Sequence, residues 1–215
     1  MVKGMKETKI KLCGMFRPED ISYVNEVKPD FAGFVLAEGF RRRILKEQAV
    51  KFREALDPAI PAVGVFVNNS CEEVISYLQE NIIQMAQLHG NETEEDIQYI
   101  QAVTGKPVMK AVKVESRYDV EAWLDSSADY LLFDGGTGSG VAFDWSVLND
   151  IDREFFLAGG LNAQNILAAI ETVHPFAVDL SSGVETDGVK DPEKMQEVVR
   201  LVRESSKKKK GDKNE

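Results

Sequence analysis

Residues 155–185 read FFLAGGLNAQNILAAIETVHPFAVDLSSGVE, and this stretch holds one device twice. An apolar run closes on small residues, first as FFLAGG and then as FAVDLSSG. The pattern after the first copy predicts a helix starting at Asn162, which leaves backbone N–H groups exposed where strand gives way to helix, and such junctions bind anions. In a parallel barrel two neighbouring strands bring both turns onto one face. Phosphate sites of (βα)8 barrels recur there, after strands seven and eight. The stretch therefore predicts a barrel that grips a phosphorylated small molecule with main-chain groups.

Outward from this stretch the same grammar repeats: a short apolar run, a polar or glycine-bearing turn, a charged amphipathic segment. Strand-like runs fall at 9–13, 31–36, 62–67, 82–88, 107–112, 130–133, 155–158 and 176–180. Helical segments fall between them at 18–27, 46–56, 71–80, 93–103, 116–124, 162–173 and 192–204, with a shorter candidate at 144–149. Several carry start signals, such as Pro18 before two acidic residues, Thr93 before two glutamates, and Asp191 before Pro192. Strict alternation of this kind predicts an α/β fold with a parallel sheet, a single (βα)8 TIM barrel over residues 1–206. The alternative is an open doubly wound sheet. Against it, the first strand runs into CGMFRPED, which has no G-x-G-x-x-G. Residues 207–215 contain no apolar side chain and read as a disordered lysine-rich tail.

A chain of 215 residues suits one domain with a full core. Its net charge is −10; five lysines against Asp212 and Glu215 put +3 on residues 207–215 and leave −13 elsewhere. A surface this acidic repels a nucleic-acid backbone, yet local N–H groups in a pocket still accept a small phosphoester. The expected partner is thus a small phosphorylated substrate, with no nucleic acid and no membrane; nothing in the sequence indicates the oligomeric state. No run of about eighteen apolar residues occurs and MVKGMKETKI holds no signal core, so a cytoplasmic chain is expected. Cys13 and Cys71 stand far apart outside any CxxC pattern, and His89 and His174 are the only histidines, too few for a histidine-based metal site.

In a barrel the carboxyl ends of the strands carry chemistry. Cys13 closes the first strand. It reads either as a buried small apolar residue or as a thiolate, its pKa lowered by nearby N–H groups or cations, that takes a proton from carbon. Cys71 sits at a helix start and reads as structural. Arg41, Arg42 and Arg43 follow the second strand; such a run is mainly a solvated face, from which one fork turns inward to a ligand carboxylate. Asn68 and His89 end the third and fourth strands, and His89 reads as a hydrogen-bonded structural residue. Lys110 is either a snorkelling barrel residue or a cation in the mouth. Asp134, directly after YLLF and before a flexible glycine-rich run, reads either as a cap for that turn or as a desolvated acid able to donate a proton. Asp144 reads as an N-cap. Asp179 is a second acid or a partner for neighbouring strand ends. Strands one and six lie across the mouth from each other, so Cys13 and Asp134 predict acid–base isomerisation of a sugar phosphate.

Seven stretches, in order, carry a family likeness: KLCG, VGVFVN, QLHG, KAV, FDGGTGSGVAFDW, LAGGLNAQN and AVDLSSGVE. From Lys9 to Val202 the chain resembles the phosphoribosylanthranilate isomerase family of tryptophan biosynthesis. The resemblance implies an Amadori rearrangement without cofactor or metal. It implies that Asp134 is the general acid that opens the furanose and Cys13 the general base at C2′. It places Arg42 at the anthranilate carboxylate, and Gly159, Gly160, Ser181, Ser182 and Gly183 around the phosphate. Asp179 is the further substrate-binding candidate. The chain departs from the family in GFRRRIL, where Phe40 and Leu45 replace serine-like residues. The competing readings are the related histidine-pathway Amadori enzyme, which uses an aspartate where Cys13 stands, and a non-catalytic barrel that senses a phosphorylated ligand.

Overall fold

The computed structural model of the chain describes residues 7–135 and 144–211. Eight parallel strands close in chain order: β1 (Lys9–Cys13), β2 (Phe31–Val35), β3 (Ala62–Phe66), β4 (Met85–Leu88), β5 (Val108–Lys113), β6 (Tyr130–Asp134), β7 (Phe155–Ala158) and β8 (Ala177–Leu180). Closure is made by β8 against β1, with Ile10 opposite Val178 and Lys11 opposite Asp179. The helices between strands are α1 (Pro18–Val27), α2 (Lys46–Ala55), α3 (Cys71–Gln79), α4 (Glu94–Thr104), α5 (Arg117–Glu121) and α6 (Ile166–Val173), and α7 (Pro192–Gly211) follows β8. Their starts are chemically marked. The Ser70 side chain accepts from the Glu73 amide, and Thr93 forms a reciprocal capping pair with Asp96.

The two-residue period of each strand divides the apolar residues into two layers. Ile10, Leu12, Phe34, Phe66, Phe133 and Leu157 face the helices in the outer core. Phe31, Val63, Met85, Met109, Leu132, Phe156 and Ala177 form a separate inner cluster that fills the barrel. Phe156 is its centre, with ring centroids 5.5 Å from Phe31, 5.4 Å from Tyr130 and 5.5 Å from Phe176. Each such buried ring contributes about 2–3 kcal/mol through the area it removes from water. Lys9 closes the amino end, its Nζ 5.1 Å from the Phe176 ring centroid. Lys9 and this aromatic cluster thus fill the amino end of the barrel.

Four expectations from sequence are corrected. The fourth strand begins at Met85, because Ile82 and Ile83, though buried, bond back to the Tyr77 carbonyl and finish the turn after α3. Helix α5 stops at Glu121 and continues as turns. Helix α6 begins at Ile166, four residues after Asn162, because asparagine side chains hold the intervening turn. Helix α7 continues to Gly211, so residues 207–211 of the expected tail are helical; no glycine or proline interrupts the run before Gly211. Residues 212–215 and the glycine-rich run from 136 to 143 lie outside the described residues. The short segment after β6 is a 3-10 helix, Trp145–Leu148, capped by Asp144, whose carboxylate accepts from the Ser146 amide. No helix among the described residues is long and apolar enough to cross a membrane.

Candidate active site

A cavity of about 570 Å³ opens at the carboxyl ends of the strands. Cys13, Arg42, Asp134, Gly159, Gly160, Asp179, Ser181, Ser182 and Gly183 all line it. These nine residues thus meet in one place, delivered from strands that lie far apart in sequence.

The floor on the β1–β8 side is a buried charged cluster. Alternation along β1 points Lys9, Lys11 and Cys13 inward, and Lys11 is fully buried with its Nζ 2.9 Å from Asp179 Oδ2. Burial alone would neutralise Lys11, but the charge of Asp179 and the adjacent Cys13 outweigh it and raise its pKa. Asp179 Oδ1 is buried with no hydrogen-bond partner among the described residues. Gly33 on β2 leaves the room that Cys13 occupies, since a Cβ there would stand 2.6 Å from Sγ. Of the two readings of Cys13 from sequence, the lowered thiol is opposed by its burial. Burial pushes the Cys13 thiol up, Lys11 pulls it back, and burial wins. Cys13 therefore rests as a thiol whose conjugate base is strong and has an ammonium beside it.

Across the mouth, Asp134 ends β6 between two neighbours. Its Oδ2 lies 3.5 Å from His89 Nε2. Its Oδ1 faces the β7 turn so closely that a Cβ on Gly159 would come within 2.8 Å. The other ring nitrogen of His89, Nδ1, is 3.2 Å from Gln87 Nε2. Burial lowers the His89 pKa against the opposing pull of Asp134, with Lys11 adding to the decrease, so the ring is neutral.

Arg42 is the member of the arginine run that turns inward. Its Nε and Nη2 clamp Glu185 at 2.6 and 2.8 Å, and the same carboxylate takes Lys190 Nζ at 2.9 Å and Arg41 Nη2 at 2.9 Å. Burial alone would raise Glu185, but Arg42 and Lys190 hold it at about 2. Lys190 itself is lowered, because its burial exceeds the pull of Glu185. The pair therefore persists as an ion pair on the strength of the Arg42 fork. Because Glu185 occupies the side-on edge of the guanidinium, the end-on edge remains for a ligand carboxylate. Arg43 instead pairs with Glu38 at 3.0 Å. Nothing in the sequence near Arg42 announces Glu185, which arrives from a small hairpin, β9 (Glu185–Thr186) with β10 (Val189–Lys190).

The two small-residue turns lie beyond the last paired residues of β7 and β8. Gly159 and Gly160 adopt φ of 94° and 66°, the left-handed region open to glycine. A Cβ on Gly183 would overlap the Leu161 carbonyl oxygen, so only glycine lets the second turn nest against the first. The first turn is not a helix terminus. The Asn162 amide is taken by Asn165 Oδ1 at 2.9 Å, Asn162 Oδ1 accepts from the Gln164 amide at 2.9 Å, and Asn165 Nδ2 donates to the Gly160 carbonyl at 2.9 Å. Side-chain bonding competes with helix here, which is why α6 starts late.

The remaining candidates fall outside. Lys110 points away from the barrel interior, bonded to Glu92 at 2.8 Å and to the Gly90 carbonyl at 2.7 Å, with the Trp123 ring 5.2 Å away; it is neither a snorkelling residue nor a cation in the mouth. Asn68 supports that loop, its amide donating to Glu92 at 2.8 Å. Cys71 donates to Asp96 Oδ1 at 3.3 Å and its thiol is pushed up to about 11, mainly by burial. On the β2–β3 side the cavity wall is apolar, built from Val35, Phe40, Val65 and Val67.

A closed eight-stranded barrel with glycine turns after β7 and β8 and ionisable groups on opposite walls defines a sugar-phosphate type of (βα)8 enzyme. The family pattern of N-(5'phosphoribosyl)anthranilate (PRA) isomerase matches residues 10–201. An N-(5'-phosphoribosyl)anthranilate isomerase of Endomicrobium trichonymphae is 46% identical over 200 residues, covering 91% of this chain and 98% of the relative. Among solved structures, the phosphoribosyl anthranilate isomerase of Thermus thermophilus is 38% identical with a TM-score of 0.82, over 92% of this chain and 99% of that one. Another, 34% identical with a TM-score of 0.82 over 92% and 99%, was solved in complex with reduced 1-(o-carboxyphenylamino)-1-deoxyribulose 5-phosphate. The chain belongs to the N-(5'-phosphoribosyl)anthranilate isomerase family.

Proposed function

We propose that Cys13 and Asp134 carry the proton transfers by which this isomerase of tryptophan biosynthesis converts N-(5′-phosphoribosyl)anthranilate to 1-(2-carboxyphenylamino)-1-deoxyribulose 5-phosphate. Asp134 gives its proton to the furanose oxygen as the C1′–O bond breaks and the nitrogen lone pair forms the iminium. Cys13, after giving up its thiol proton to solvent to form a thiolate paired with the Lys11 ammonium, then takes the C2′ proton, and the electron pair left behind makes the enamine that tautomerises to the ketone. Both steps are acid–base catalysis by positioned side chains, worth about 10²–10⁴ each. The Lys11 ammonium next to Cys13 offsets part of the cost of a buried thiolate.

The single observation that carries this reading is that Cys13 and Asp134 open into one cavity with the glycine turns of β7 and β8. The phosphate sits against the main chain of Gly159, Gly160, Ser181, Ser182 and Gly183. The aryl ring lies on the wall of Val35, Phe40, Val65 and Val67, with its carboxylate on the open edge of Arg42. Asp179 Oδ1 accepts a ribose hydroxyl. The acidic surface repels nucleic acid, and a phosphorylated biosynthetic intermediate is retained in the cytoplasm by its charge.

Loss of substrate fluorescence with purified protein, in the presence of a chelator, tests the reading. Cys13→Ser and Asp134→Asn are each expected to lower kcat by about two or more orders of magnitude while substrate still binds. Unchanged turnover in either variant would reject that residue's role.

A further inference from the structure

Proton transfer by Cys13 and Asp134 makes no use of two other cavity residues, Gln87 and His89, which stand at the end of β4. They form a chain aimed at Asp134. Gln87 is almost fully buried, and its amide nitrogen stands 3.2 Å from His89 Nδ1. An amide nitrogen only donates, so Nδ1 accepts, and the single proton of a neutral imidazole is fixed on Nε2. That nitrogen is the one 3.5 Å from Asp134 Oδ2, across β5 from its own strand. The separation is long for a hydrogen bond, and catalytic contacts commonly tighten when substrate closes the site.

We propose that His89 is a positioning residue for Asp134: by donating to Oδ2 it assigns the transferable proton to Oδ1, the oxygen that faces the β7 turn. A protonated carboxyl has one donating and one accepting oxygen, so an N–H held against one of them decides which oxygen carries the proton. Oδ1 is the oxygen beside Gly159, in the turn proposed to hold the phosphate. When that proton leaves for the ring oxygen, the same N–H stabilises the carboxylate left behind, and no proton passes through His89. The charges around the pair are Lys11 from β1, Asp179 from β8, and Lys110 and Lys113 from β5. None of these bridges the two residues, and Lys110 is held by Glu92. Gln87 Oε1 is buried without a partner among the described residues.

This inference rests on the reading of Asp134 as the acid, and the experiment separates the two. Steady-state kinetics are compared for Asp134→Asn, His89→Leu, His89→Gln and Gln87→Leu. Leucine removes the N–H, whereas glutamine offers its Nε2 at nearly the place of the imidazole Nε2. His89→Leu is expected to lower kcat by about tenfold to a hundredfold with KM within about twofold, the scale of a misplaced catalytic group. His89→Gln should recover to within about threefold of the parent, and Gln87→Leu should lose less than His89→Leu, also in kcat. Parental kcat in His89→Leu, or equal slowness of His89→Gln and His89→Leu, overturns the proposal. Should His89→Leu fail to fold, the other two decide: a fast His89→Gln with a slowed Gln87→Leu supports it, and the reverse overturns it. A fully active Asp134→Asn would remove the acid assignment itself, while an inactive Asp134→Asn beside a fully active His89→Leu would remove this inference alone.

Discussion

On the β7–β8 side of the cavity a ligand meets backbone, in turns that exist because Gly159 and Gly160 take positive φ and Gly183 has no side chain. On the floor and on the β4 and β6 walls it meets ionisable side chains set beside one another: Cys13 and, from β8, Asp179 beside Lys11, and Asp134 3.5 Å from His89. The difference teaches a division of labour. On the proposed reading, main-chain groups bind a charge that is the same before and after reaction, and side chains in a low-dielectric floor respond to charge that moves. The two sides should therefore fail differently, the first in binding and the second in turnover.

The largest expected effect on binding comes from the turns. Gly183→Ala forces the β8 turn away from the Leu161 carbonyl. Affinity for inorganic phosphate, read by calorimetry, should fall at least about thirtyfold, or about 2 kcal/mol, while kcat at saturating substrate changes little. Next is the anchor of Arg42. Glu185 is held at about 2 against an ordinary 4.5, so its folded pKa lies below its unfolded one. Its contribution to stability is complete above about pH 4.5, declines below that, and is gone under about pH 2. On the order of 3 kcal/mol is at stake. Urea unfolding at a series of pH values should show that loss in the parent and its absence in Glu185→Gln, which starts lower by a similar amount at neutral pH. The smallest effect is on Cys13 itself. Because burial raises its thiol, alkylation by iodoacetamide should rise with pH later than for a free cysteine, and Lys11→Met should delay it by about one further pH unit. An unshifted profile in Lys11→Met would mean that the ammonium does not act on the sulfur.

Much of the fold and the site is legible in sequence, for reasons particular to barrels. Eight apolar runs separated by amphipathic segments place eight strand ends on one face, and polar residues there must pair or work. That logic locates Cys13, Asp134 and Asp179. It misplaces the start of α6, because the side chains of Asn162 and Asn165 satisfy the backbone locally and postpone the helix. Lys11 is ambiguous: in KIKLC the period of two sets it on the face of Cys13, yet a lysine two residues from another lysine suggests a solvated edge. Glu185 carries no such signal. Its contact with Arg42 joins residues 143 apart and depends on where a two-residue hairpin folds. The role of Gln87 also emerges only from the folded barrel, since QLHG fixes no more than that Gln87 and His89 share a face.

The most direct test is calorimetric binding of reduced 1-(o-carboxyphenylamino)-1-deoxyribulose 5-phosphate to the parent, to Gly183→Ala, and to a Cys13→Ser, Asp134→Asn double variant. The double variant is expected to bind within about threefold of the parent although it no longer turns over, and Gly183→Ala to lose at least about thirtyfold. A double variant that cannot bind, beside a Gly183→Ala that binds as the parent does, would contradict the separation of grip from proton transfer.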